Sequence, residues 1–211
     1  MNATRTAILP AMLGLACLAA SLPAGAQPCS NPAIAPTTPT ADFDLESDGT
    51  TRHRPTGLVW MRCALGQTWT GSTCTGAARP FTQWREALQV ASDVNSGLDD
   101  ADNDGAPGFA GETDWRLPSM RELASIQEAC RINPALNIEA FPNALVSSAF
   151  WTSTTVDSNA VAAWGIGSGR GTASFLQKSD AIPRFARLVR GGDGLAGHVL
   201  LGRIFADGFE P

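Results

Sequence analysis

Four cysteines, Cys29, Cys63, Cys74 and Cys130, constrain this chain more than any other feature, because an export signal precedes them. Residues 1–26 read as a secretory leader: Arg5 supplies the positive start, Ala7 to Ala20 an apolar stretch, and Ala24-Gly25-Ala26 a small-residue cleavage site. Pro10 and Gly14 interrupt the apolar run, which falls short of the ~20 residues that cross a bilayer, so the mature chain is expected to carry no transmembrane segment. Cys17 leaves with the leader, and Gly14 occupies the place where a lipid-attachment motif would have Leu. An even number of cysteines in an oxidising compartment predicts two disulfides. Cys63 and Cys74 flank Ala64 to Thr73, a stretch that Gly66 and Gly71 allow to turn back on itself. That favours a Cys63–Cys74 bridge and leaves Cys29 for Cys130. A zinc site is the weaker reading, since there is no C-x-x-C pair and both histidines lie far from the cysteines.

Without the leader the chain carries 14 basic and 20 acidic residues, a net charge of −6. Nucleic-acid binding, which needs concentrated Lys and Arg to displace counterions from phosphates, is not expected. Six Trp and nine Phe supply a core, whereas two His and no Tyr leave few side chains for acid–base work near neutral pH.

Residues 27–47 begin with four prolines by Pro39 and read as an extended N-terminal arm. Gly57 to Cys63 is rich in strand formers. Trp84, Ala87, Leu88, Ala91 and Val94 recur at spacings of three and four, predicting a helix from near Thr82 to Asn95-Ser96-Gly97. Ser119 and Glu122 form the signature of a capping box, with Leu123, Ile126 and Cys130 on one face of the helix that follows. Short apolar runs at 150–154, 162–166, 172–176 and 185–190 read as strands, and Gly165 to Gly169 as a hairpin turn. Strand, two helices, then antiparallel strands is an α+β pattern, two helices packed on short antiparallel strands.

Three sets of residues are candidates for binding. Asp100, Asp102 and Asp104 with Gly105 place oxygen ligands at alternate positions, as in the first half of a Ca²⁺ loop, while Gly111 stands where an EF-hand has its closing Glu. Trp69 lies on the polar cysteine loop, where an exposed indole stacks on a sugar face. Arg184, Arg187 and Arg190 fall in a basic C-terminal third, where strand alternation would align Arg184 with one of the others as an anion-binding patch. No nucleophile–base pair is legible, and His53 and His198 read as surface residues.

Four stretches, taken together, resemble a known family: Thr56-Gly57-Leu58-Val59-Trp60, Asp114-Trp115-Arg116-Leu117-Pro118 with Glu122-Leu123, Phe150-Trp151-Thr152-Ser153, and Arg187-Leu188-Val189-Arg190-Gly191-Gly192. In this order they resemble the Lcl C-terminal domain family over residues 48–192, leaving 193–211 as a C-terminal tail. The cysteine loop and Cys130-Arg131-Ile132-Asn133-Pro134 are similar to members with two cysteine pairs. The resemblance implies a compact C-type-lectin-like domain, an architecture shared with formylglycine-generating enzymes, and the family's named adhesin binds sulfated glycosaminoglycans. It also implies a bacterial protein, secreted, periplasmic or on the outer cell surface. The expected function is an exported, non-enzymatic binding or cell-surface domain that recognises a glycan or sulfated polysaccharide. An exported enzyme of that fold and a purely structural surface module are the alternatives. No cofactor is expected apart from Ca²⁺ in the aspartate loop.

Overall fold

The computed structural model describes residues 29–191. The leader, His198 and the tail beyond Gly191 lie outside them. The domain is α+β, with eleven short strands and two helices among the described residues. Strands β1 (Phe43–Leu45), β2 (Thr50–His53), β3 (Leu58–Met61) and β11 (Val189–Arg190) form an antiparallel sheet in the order β1-β2-β3-β11. A second antiparallel sheet contains β7 (Ala149–Val156), β8 (Asn159–Gly167) and β9 (Thr172–Gln177). Two ribbons complete the set: β4 (Thr68–Trp69) with β5 (Cys74–Thr75), and β6 (Phe81–Gln83) with β10 (Ser179–Arg184).

Alternation explains why β3 reads as a continuous apolar run. Leu58 and Trp60 enter one core with Phe43, Leu123, Ile126, Phe141, Phe150 and Ile166. Met61 enters another, and Val59 packs against it, with Trp115, Trp151, Ala163, Leu176 and Leu188. The strand is covered on both faces, so neither parity of its side chains is polar. Neighbouring residues also divide between the cores at Phe150 and Trp151, and again at Leu188 and Val189.

Helix α1 (Trp84–Ser96) starts two residues later than its periodicity suggests, because Phe81–Gln83 is drawn into pairing with β10. It buries Ala87, Val90, Ala91 and Val94, and Gly97, at φ 76°, closes it in the left-handed conformation that costs a glycine no steric penalty. Helix α2 (Met120–Ser125) has the capping box: Glu122 N–H donates to Ser119 Oγ at 3.3 Å, and Ser119 N–H to Glu122 Oε2 at 2.8 Å. It ends at Ser125, so Cys130 falls outside the helix rather than on its face.

Both disulfides join the predicted partners, Cys29–Cys130 and Cys63–Cys74. Residues 29–47 do not project as an arm. Phe43–Leu45 adds a strand to the first sheet, and the preceding residues dock on the Cys130 segment through the disulfide and the buried Glu128 carboxylate. Gly165 to Gly167 belongs to β8, so the hairpin turn comes later, at residues 168–171. No helix among the described residues is long and apolar enough to cross a membrane.

Candidate functional site

The acidic loop begins where α1 is capped. Leu98 and Asp99 donate their backbone N–H groups to Asp93 O, and Gly108 returns to Val94 O, so the loop leaves and rejoins the end of the helix. Asp100 accepts from the backbone N–H of Asp104 and of Gly105, both at 3.1 Å, while Asp104 accepts from Ala106 N–H at 2.8 Å. Asn103 and Gly105 take positive φ, 61° and 75°, which curls the chain around these carboxylates. One carboxylate oxygen from each of Asp100, Asp102 and Asp104 lies within 4.8 Å of the others. A cation with Ca–O distances of about 2.4 Å holds ligands at such separations.

Asp102 is the inward member of the three. Its Oδ2 accepts Ala110 N–H at 2.7 Å, and its Oδ1 is buried with no protein hydrogen bond among the described residues. Burial pushes its pKa upward, and the negative charges of Asp104 and Asp100 push the same way against the Ala110 hydrogen bond. Glu112, one place late for the EF-hand position, pairs instead with Arg190 at 2.8 Å.

The three arginines do not assemble into one surface. Arg190 bonds Asp114 Oδ1 at 2.6 Å through Nε as well as Glu112, so two carboxylates neutralise it. Arg187 is 2% exposed and lies in the core, its Nη1 donating to Met61 O at 2.7 Å and to Arg62 O. Burial lowers its pKa to about 9. This corrects the alternation argument: Arg187 precedes β11, in a segment covered by both cores, while Arg184 ends β10, which pairs with β6.

Trp69 is not an open platform either. The Arg62 guanidinium stands 4.2 Å over its ring, its Nε1 donates to Ser47 O at 2.8 Å, and Gly49 approaches so closely that an added Cβ would sit 2.9 Å from Trp69 Cγ. The exposed aromatic surface lies on β8 and β9. Trp164 and Phe175 face each other across the strands and meet edge-to-face at 4.4 Å. Ile166, on the same face of β8 two residues along, is buried under α2, but Trp164 is only half-buried and Phe175 is 59% exposed. The Trp164 Nε1–H has no protein acceptor among the described residues. Composition does not separate this Trp from the buried Trp60, Trp115 and Trp151. The only sequence signal available is its place two residues before the end of an apolar run, opposite a Phe flanked by Ser and Leu.

Both cysteine pairs are closed, which removes thiol chemistry from Cys63 and Cys74. His53 is buried rather than on the surface; its Nδ1 lies 2.9 Å from Thr56 Oγ1, and burial lowers its pKa despite the nearby charge of Asp42.

No curated protein matches the chain. The sequence profile of the Lcl C-terminal domain matches residues 49–190, well over half of the chain and nearly all of the described fold, with Thr56-Gly57 to Arg187-Leu188-Val189-Arg190 inside it. The chain belongs to the Lcl C-terminal domain family.

Proposed function

We propose that this protein is an exported, non-catalytic domain of the bacterial surface or periplasm that recognises glycans through the Trp164–Phe175 face, on a C-type-lectin-like scaffold. The observation that carries the reading is the aromatic pair at facing positions of β8 and β9, with Phe175 59% exposed and Trp164 half-buried against it. Exposed aromatic area is costly to keep wet unless a partner covers it. The C–H face of a pyranose stacks on such rings, and Trp164 Nε1–H supplies a donor for a hydroxyl beside them. Neutral sugars fit this surface better than sulfated ones, because Arg190 is already paired and Arg187 is inside. The reading includes Ca²⁺ in the Asp100–Asp102–Asp104 loop, which would satisfy Asp102 Oδ1 and offset three crowded carboxylates.

The test is an array of neutral and sulfated glycans probed with the mature protein, with and without Ca²⁺, alongside Trp164→Ala, Phe175→Ala and Trp69→Ala. Binding that is lost in the first two variants and kept in the third supports the site. Binding unaffected by Trp164→Ala places the ligand elsewhere, and no binding to any glycan favours a structural surface module. A free thiol titrated in the folded, non-reduced protein would favour an enzyme.

A further inference from the structure

A buried cation is expected to have a carboxylate beside it, because desolvation of a guanidinium is expensive. Arg187 has none among the described residues. Carbonyl oxygens of Met61 and Arg62 meet Nη1, and the rings of Phe141 and Phe150 lie 4.7 and 5.8 Å from its central carbon. Its remaining N–H groups are given no protein acceptor by the described residues. Arg187 lines a small, largely enclosed cavity of about 10 Å³ together with Gln127, Ser168 and apolar side chains that include Leu123 of α2, Phe150 of β7 and Ile166 of β8.

Gln127 is the complementary group. Its Nε2 donates to Leu123 O at 3.0 Å, which fixes the amide's orientation, and its Oε1 is buried without a protein donor. Ser168 is already satisfied, donating to Ser148 O at 2.9 Å and accepting Ser148 N–H at 3.3 Å. The cavity therefore presents surplus donors on one side and one surplus acceptor on the other, with room for about one molecule of water.

We propose that this cavity is a binding site for a single water molecule, which accepts a hydrogen bond from the Arg187 guanidinium and donates one to Gln127 Oε1. A small anion would answer the charge of Arg187 but would face the negative end of the Gln127 amide, and it needs more space than the cavity offers. The bridge links the segment that follows α2 to the segment that leads into β11, two stretches that are far apart in sequence.

Water-oxygen relaxation dispersion on the mature protein counts long-lived internal waters, and water–protein cross-relaxation locates them. The expected result is a cross-peak from water to the Arg187 Nε–H or the Gln127 side-chain amide in the unaltered protein. One long-lived water should be lost in Gln127→Leu and retained in Gln127→Glu, which keeps the acceptor. Absence of the cross-peak in the unaltered protein overturns the proposal without any variant. An undiminished water count in folded Gln127→Leu also overturns it, as does chloride relaxation showing a bound halide that Arg187→Met releases.

Discussion

Glu128 ties the N-terminal segment to the domain, and its removal should cost more than that of any other carboxylate. It is 1% exposed and accepts five bonds from three residues: Thr37 N–H at 2.8 Å, Thr38 N–H at 2.9 Å, Cys130 N–H at 3.1 Å, and both threonine hydroxyls at 3.1 Å. Burial by itself would raise its pKa, yet the backbone donors of Thr37, Thr38 and Cys130 outweigh it and hold the carboxyl below the usual range. Hydrogen bonds to an ionised group contribute about 1.5–3 kcal/mol each when measured singly, but donors sharing one acceptor are not additive. Glu128→Ala leaves three backbone N–H groups to find water, which predicts a loss of ~3–5 kcal/mol; Glu128→Gln keeps one oxygen and should lose ~1–3 kcal/mol. Urea unfolding of the oxidised protein reads this as a fall in midpoint at constant slope. The pH dependence carries its own sign. A carboxyl whose folded pKa lies below its unfolded value of 4.5 adds stability that is complete above 4.5 and disappears as pH falls through the folded value. Glu128→Gln should lack that acid-side loss. A Glu128→Ala protein within ~0.5 kcal/mol of the original would refute the clamp, since changes of that size are usual for surface positions.

The two disulfides should differ in worth. With sequence separations of 101 and 11, loop-closure entropy gives ~4.7 kcal/mol for Cys29–Cys130 and ~2.8 kcal/mol for Cys63–Cys74, so paired Cys→Ser variants should rank in that order; the reverse ranking would rule out the entropic account. Ca²⁺ at 100 times its dissociation constant would add ~2.7 kcal/mol, a rise of roughly 5–10 °C in melting temperature, and identical melting in EDTA and in millimolar Ca²⁺ would remove the ion from the aspartate loop. His53, with its pKa lowered by burial from an ordinary value of 6.5, must charge on acidification; stability should decline as pH drops below 6.5, and His53→Gln should flatten that slope. At Gly165 a Cβ would fall 2.1 Å from Leu176 Cδ1 and 2.8 Å from Phe150 O, so Gly165→Ala should cost ~1–3 kcal/mol in the same unfolding assay.

Local signals were legible wherever the physics is local. The α1 stripe, its Gly97 stop, the Ser119–Glu122 box and the three strands of the second sheet all occupy the places their spacing indicates, to within three residues. The Cys63–Cys74 pairing followed from a short loop able to reverse, and the long bridge followed from what remained. Strands β1, β2, β6 and β10 were not legible. They are three to six residues long, carry polar or charged positions, and exist because a distant partner supplies their hydrogen bonds.

The aspartate cluster was visible because its spacing is itself the geometry of the loop. The arginines were misread for the opposite reason: charge suggests a surface, and nothing near Arg187 in sequence announces the carbonyls of residues 61 and 62 that take it inside. By itself the sequence determined the family, the α+β class, the two bridges, the Gly97 stop of α1 and the capping box that starts α2, all of which depend on nearby residues or on covalent pairing. Only the tertiary structure decided that Phe175 stays exposed beside a half-buried Trp164, which arginine is buried and that residues 29–47 belong to the domain. Those outcomes depend on contacts between segments tens of residues apart, where composition and periodicity carry no information about who the neighbour will be.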